Sequence, residues 1–414
     1  MLLARLLQQL IQVGRLTVID ADDKKHIFTG SDGPAVTIRL HDRALHWKLF
    51  LRPEISAGEA YMDGLLTVED GSIYDFLDLV GRNIDAAGED HPFDGVMRRI
   101  DIGLRRLQQF NPAKRAQRNV AHHYDLSGAL YRLFLDSDQQ YSCAYFLTPE
   151  DGIDLAQAQK RRHIAAKLLL EPGMSVLDIG SGWGGLALYL AERTAARVTG
   201  ITLSHEQLAT AEARAKAEGL SDRVSFALRD YREQGGTFDR IVSVGMFEHV
   251  GVNHYEAFFR QVNDRLAENG VALLHTIGRV HVPGNTNPWI RKYIFPGGYS
   301  PALSEVMTAV ERAGLWVTDI EILRLHYAYT VRQWRQRFLA NRRVAAELYD
   351  ERFCRMWEFY LAAAEIMFRY LRCAVFQIQL ARTQEAVPLT RDYITQTERA
   401  LAAAEEGQRG ERAA

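Results

Sequence analysis

Apolar and polar positions change period several times along this chain, and the changes lay out its elements. Residues 1 to about 90 alternate short apolar runs, such as Leu16-Thr17-Val18-Ile19 and Ala35-Val36-Thr37-Ile38, with turns rich in Asp and Gly. That pattern predicts strands with flanking helices, a small α+β domain over 1–110. An amphipathic run over 155–170 predicts a helix. From residue 176 the alternation becomes regular, with apolar strands at 176–179, 197–204, 224–228, 240–244 and 271–274 and helical spacing near 205–218 and 254–267. Strands separated by helices of that length form a doubly wound, mostly parallel α/β sheet, with ligands at the carboxyl ends of the strands. Asp230, Glu248 and His275 fall at or just beyond such ends. Residues 286–345, with Trp289, Tyr293, Phe295, Tyr299, Trp316, Tyr327, Tyr329 and Trp334, read as an aromatic-rich insertion in a larger second domain over 111–400. A long helical region near 344–371, a last strand at 375–380 and a flexible tail over 401–414 complete the expected order.

Composition changes this picture little. A chain of 414 residues with 47% hydrophobic content can fill one large or two moderate cores. A net charge of −2 gives no whole-protein field of the kind a nucleic-acid binder shows, so no nucleic-acid partner is expected. One local stretch is different: over 91–120, Arg98, Arg99, Arg105, Arg106, Lys114, Arg115 and Arg118 face only Asp94 and Asp101. It reads equally as a solvated linker helix or as a segment lying on anionic lipid, since Val96, Met97, Ile100 and Leu104 are interleaved with the basic residues. Cys143, Cys354 and Cys373 are odd in number and show no C-x-x-C spacing, which argues against a disulfide framework or structural zinc. No metal is expected. The N-terminal run is broken by Arg5 and two glutamines, too polar for a signal sequence and too short to span a bilayer, which reads as cytoplasmic.

The chemistry concentrates at Val176-Leu177-Asp178-Ile179-Gly180-Ser181-Gly182-Trp183-Gly184-Gly185, an apolar strand with one carboxylate that empties into a glycine turn and then a helix. Glycines serve there because a strand-to-helix reversal uses φ > 0 and because a ligand must lie against bare backbone. Gly180, Gly182 and Gly185 also satisfy the loose G-x-G-x-x-G pattern of dinucleotide sites, but the next strand ends without the acidic residue such sites need. Two apolar residues, Asp178, one apolar residue and G-x-G-x-G instead resemble the first motif of S-adenosylmethionine-dependent methyltransferases.

Six further motifs extend the likeness: His122-His123-Tyr124-Asp125, Tyr141-Ser142-Cys143-Ala144-Tyr145-Phe146, Met246-Phe247-Glu248-His249-Val250-Gly251, His275-Thr276-Ile277-Gly278, Tyr293-Ile294-Phe295-Pro296-Gly297-Gly298 and His326-Tyr327-Ala328-Tyr329-Thr330. In this order they resemble the cyclopropane-fatty-acyl-phospholipid synthases, over about 120–385 and more weakly before it. Mycolic-acid and fatty-acid methyltransferases share most of them. The resemblance implies a Rossmann-like methyltransferase domain with the smaller α+β domain in front. It implies S-adenosylmethionine held by Tyr141, Ser142, Asp178, Gly180, Gly182, Gly184, Thr202, Leu203, Gln207, Asp230 and Tyr231. Gln207 suits the ribose hydroxyls and Asp230 the adenine amino group. It also implies a bound bicarbonate at Cys143, Glu248, His275, Ile277 and Tyr327, with the backbone N–H groups of Cys143 and Ile277, His275 and the Tyr327 hydroxyl holding the anion and Glu248 accepting its O–H. The expected reaction adds a methylene group to the cis double bond of an acyl chain in a membrane phospholipid. The alternative is a related enzyme leaving a methyl branch or a methylated unsaturated chain. The implied setting is the inner face of the cell membrane, bound peripherally through the basic run, with an aromatic channel from 286–345; homodimer formation stays open. Two departures stand out: Ala364-Glu365 where members often carry cysteine followed by Glu, and Gly128 where an asparagine is common.

Overall fold

The computed structural model describes residues 2–87 and 128–413. The basic run and His122-His123-Tyr124-Asp125 lie outside the described residues, as does the expected boundary near 110.

The N-terminal unit is built on four strands, β1 (Val13–Ile19), β2 (Lys25–Thr29), β3 (Ser31–Leu40) and β4 (Leu66–Asp70), in the order β2-β1-β3-β4. Every second residue faces the core, so Leu16, Val18, Val36, Ile38 and Leu40 are buried while Arg15, Thr17, Ala35, Thr37 and Arg39 are at least partly exposed. Helix Ile73–Ala87 is stitched to this sheet by the fully buried Asn83, whose Oδ1 accepts from Gln12 N (2.7 Å) and Val13 N (2.8 Å) and whose Nδ2 donates to Val13 O (2.9 Å). Buried backbone donors need such partners.

The second unit is a seven-stranded sheet of β5 (Ser175–Ile179), β6 (Arg197–Thr202), β7 (Val224–Leu228), β8 (Phe238–Val244), β9 (Leu266–Arg279), β10 (Trp316–Leu323) and β11 (Cys373–Ala381), in the order β10-β11-β9-β8-β5-β6-β7. The strands β7, β6, β5, β8 and β9 run parallel, and β11 pairs antiparallel with both β9 and β10. From β5 the chain builds outward to β6 and β7, then returns to β8 on the other side. That reversal leaves a crevice at the carboxyl ends of β5 and β8, where open α/β sheets bind ligands. Among the described residues no helix is long and apolar enough to cross a membrane.

Two expectations need correction. Residues 286–345 are not an insertion: they supply helix Leu303–Ala313 and the edge strand β10 of the sheet itself, and Trp289 and Trp334 are fully buried core. The tail is not flexible through its first turns, for helix Asp392–Ala413 continues past residue 401. Its Glu405 carboxylate, nearly buried, accepts from Arg162 Nη2 (2.7 Å) and Tyr189 OH (2.7 Å), and Glu398 meets His163 Nδ1 (2.6 Å).

The two units share one core. Helix Glu351–Tyr370 packs on Pro53–Met62 and Ile73–Ala87, and a single apolar cluster runs from Leu16 and Leu79 to Tyr327 and Trp357. Tyr61 OH donates to Glu358 Oε2 (2.8 Å) and Tyr370 OH to Asp78 Oδ1 (2.9 Å) across the join.

Candidate active site

The glycine turn has the backbone the sequence requires. Gly180, Gly182 and Gly184 all have positive φ, at +87°, +55° and +85°. A Cβ on Gly180 would lie 2.7 Å from Met246 Cβ, whereas one on Gly182 would meet nothing within 4 Å. The first glycine therefore allows close packing, and the second leaves its face open to the crevice. This crevice is lined by Tyr141, Ser142, Asp178, Gly180, Gly182, Thr202, Leu203, Gln207 and Tyr231 among others. Asp178 is the single carboxylate in that lining. It is buried, its Oδ2 has no partner among the described residues, and burial pushes its pKa up to about 7 against the pull of Lys160. A buried carboxylate oxygen without a donor, beside aromatic rings, fits a cationic ligand such as the ammonium and sulfonium of S-adenosylmethionine.

Two expected cofactor residues do not line the crevice. Gly184 ends the turn as the left-handed N-cap of helix Gly185–Thr194 and packs under Phe226. Asp230 turns its carboxylate to Arg232, taking Nε at 2.8 Å and Nη2 at 2.6 Å. The Asp-Tyr-Arg spacing was a visible warning, since an arginine two residues on reaches the same carboxylate. Gln207 is held with its Oε1 accepting from Thr202 Oγ1 (2.7 Å).

The expected anion residues fall into two groups. In one, Glu248 sits in the turn after β8, and its Oε1 accepts from Ile277 N (2.6 Å) on β9. The sequence reading gave that N–H to the anion; here the buried carboxylate, the nearest acceptor, takes it. Glu248 Oε2 is buried without a partner among the described residues, and burial raises its pKa to about 7. His275, two residues before Ile277 and so on the same face of the strand, is 2% exposed, with Nε2 likewise unpartnered among the described residues. Burial and the nearby lysines push its pKa well below the ordinary histidine value, so the ring is neutral. In the other, Ala144 N donates to Thr330 Oγ1 (3.0 Å), which pins the Cys143 segment to the helix His326–Ala340 that carries Tyr327. Tyr327 packs against Phe368 at 4.6 Å and Trp334 at 5.8 Å between ring centroids. Ile277 packs against the same apolar cluster as Cys143 and Tyr327. The Cys143 thiol donates to Ala144 O (3.3 Å), and burial raises its pKa, so it stays protonated.

Sequence reading missed the buried polar face of helix Ile153–Lys167. Lys160 Nζ donates to Gln140 Oε1 (2.7 Å) and Ser142 Oγ (2.9 Å), and Gln157 Nε2 donates to Ser142 O (2.9 Å). His163 Nε2 meets Glu321 Oε2 at 2.7 Å. Lys160, His163 and Lys167 are spaced i, i+3, i+7, which places them on one face; that spacing was the available signal.

The sheet order, the glycine turn and a crevice with one carboxylate and aromatic walls define the class, a Rossmann-like methyltransferase using S-adenosylmethionine. The family model for mycolic acid cyclopropane synthetase matches residues 111–378. The chain is 38% identical over 352 residues to cyclopropane-fatty-acyl-phospholipid synthase of Escherichia coli (strain K12), covering 84% of this chain and 88% of that protein. It is 43% identical over 256 residues to a probable fatty acid methyltransferase of Pseudomonas putida, covering 60% of this chain and 65% of that one. The solved cyclopropane synthase MmaA2 from Mycobacterium tuberculosis superposes with a TM-score of 0.62 at 31% identity, over 66% of this chain and 99% of that chain. Mycolic acid cyclopropane synthase CmaA1 complexed with SAH and CTAB gives a TM-score of 0.61 at 34% identity, over 66% and 99%. The chain belongs to the mycolic acid cyclopropane synthetase family, and is an S-adenosylmethionine-dependent methyltransferase of the cyclopropane synthase type.

Proposed function

We propose that the protein transfers a methylene group from S-adenosylmethionine to the cis double bond of unsaturated acyl chains in membrane phospholipids, closing a cyclopropane ring, with bicarbonate as the bound base. The observation that carries this reading is that Glu248 Oε2 and His275 Nε2 are both buried without a partner among the described residues. A buried acceptor and a buried neutral ring nitrogen suit a small anion that carries its own O–H.

Chemistry demands a base there. An alkene attacking a sulfonium methyl leaves a carbocation, and the new methyl must lose a proton before the ring closes. Bound bicarbonate supplies a base of modest strength. His275, the Tyr327 hydroxyl and the Cys143 N–H hold it, Glu248 Oε2 accepts its O–H, and the Ile277 N–H keeps that carboxylate turned inward. The protonated Cys143 thiol is a poor nucleophile and escapes alkylation. Asp178 takes the cofactor's ammonium.

With S-adenosylmethionine, bicarbonate and vesicles of a cis-monounsaturated phospholipid, the acyl chain is expected to gain one CH2 and lose its olefinic proton signals. A retained olefin or a methyl branch in the product assigns the chain to the related methyltransferases instead. Docking through Arg98, Arg99, Arg105 and Arg106 at the inner membrane face is part of the proposal, each residue adding about 1 kcal/mol near an anionic surface. Reversing these four to Glu should cut sedimentation with anionic vesicles and spare cofactor binding; unchanged sedimentation across a salt series removes this surface from the proposal.

A further inference from the structure

We propose that Gln377 is a positioning residue that fixes the tautomer of His275, so that the imidazole presents Nε2–H to the anion. The inference rests on the anion reading above and adds to it the group that orients its histidine.

Gln377 lies on β11 directly across from His275 on β9, and neither side chain reaches solvent. Its Nε2 is 3.2 Å from His275 Nδ1. An amide N–H at that distance makes Nδ1 an acceptor, and a neutral imidazole has one N–H, so the proton sits on Nε2. Nε2 is the buried nitrogen without a partner among the described residues, and it is therefore a donor waiting for an acceptor. Turning the amide over would place Oε1 against Nδ1, draw the proton there, and leave a lone pair at Nε2 facing the proposed anion. Electrostatics disfavours that arrangement.

The surroundings keep the ring neutral. Lys160, Lys167 and His163 on the covering helix disfavour an imidazolium, and the one opposing carboxylate in range on β10, Glu321, is engaged by His163 and Lys167. Glu321 is also the register partner of Gln377, so Glu321, Gln377 and His275 form one row across three strands. In that row the uncharged amide separates the ion-paired Glu321 from the imidazole. A carboxylate at 377 would instead bring a negative charge to Nδ1.

The test uses the full-length enzyme labelled with 15N-histidine, with the His275 signals assigned by His275→Gln. In the wild type the proton is expected on Nε2, with Nδ1 unprotonated. Gln377→Leu should give mixed tautomers and a turnover roughly ten- to a hundredfold lower, the usual range for losing a group that orients a functional histidine, with SAH affinity unchanged. Gln377→Glu should make activity titrate. At low pH an imidazolium keeps Nε2–H and turnover; as pH rises through the new His275 pKa the ring is left with its proton on Nδ1 beside the carboxylate, and turnover falls. A merely structural role moves neither the tautomer nor this profile. A wild-type proton on Nδ1, or a Gln377→Leu enzyme that keeps Nε2–H and normal turnover, overturns the proposal. Wild-type turnover that ignores bicarbonate in carbon dioxide-free buffer would overturn the anion reading instead, and the spectrum would still read the tautomer directly.

Discussion

Glu248→Gln is expected to lower turnover by on the order of a hundredfold or more and, in the same molecule, to raise thermal stability above neutral pH. The two effects have one cause. Glu248 is buried, and its pKa is raised from 4.5 to about 7. Between those values the folded protein holds a proton that the unfolded chain has released, so stability falls as pH rises through this window. At about 1.4 kcal/mol per pKa unit the ionised carboxylate costs about 3 kcal/mol once pH exceeds 7. Glutamine carries no charge and keeps the acceptor for Ile277 N–H, but leaves an amide N–H without a partner, which offsets about 1–3 kcal/mol. A gain of a few degrees in Tm at pH 8 that shrinks or reverses at pH 5 is therefore expected, measured by calorimetry without bicarbonate. SAH affinity should stay near wild type, because the role proposed for Glu248 is toward the anion and not the nucleoside. An equal change in Tm at both pH values would mean that Glu248 is not the buried titrating charge.

The parts of this molecule that were legible in the sequence are those where neighbouring residues decide the outcome. β5 and β8 are buried on both faces, so they read as short apolar runs with turn residues at their ends. The glycine turn was legible because its φ angles exclude other residues. β10 was not: Trp316-Val317-Thr318-Asp319-Ile320-Glu321-Ile322-Leu323 alternates, as a half-exposed edge strand does, and its aromatic neighbours drew it into an apparent insertion. The helix beyond residue 399 carries no apolar period. It is held by Glu398 and Glu405 acting on His163, Arg162 and Tyr189, partners more than 200 residues away. Lys160 and Gln377 have no motif of their own. Lys160 matters because the fold buries a cation between Ser142 and Asp178, and Gln377 because an antiparallel strand sets it opposite His275.

Lys160→Met should raise the KM for S-adenosylmethionine by roughly ten- to a hundredfold at pH 7, by an argument with two parts. The first is geometric. Lys160 Nζ ties Gln140 Oε1 and Ser142 Oγ, both in the segment that lines the crevice, and methionine removes the donor that holds them. The second is electrostatic. Lys160 is the one charge that lowers the pKa of Asp178, which already stands near 7 through burial. Without the cation the Asp178 pKa rises further and the carboxyl is protonated at neutral pH, when it would no longer attract the ammonium proposed to sit there. KM should then fall as pH rises through the new Asp178 pKa, while the wild type shows a weaker dependence shifted to lower pH. Overall stability should change less than binding, because burial lowers the Lys160 pKa from 10.5 to about 8, and the charged amine itself costs about 3 kcal/mol in the folded state. Lys160→Gln, which keeps donors but no charge, separates the parts: it should restore the geometry and retain the shifted pH dependence of KM. If Lys160→Met binds S-adenosylmethionine as the wild type does across pH 6 to 9, Asp178 is not the cofactor's counter-charge.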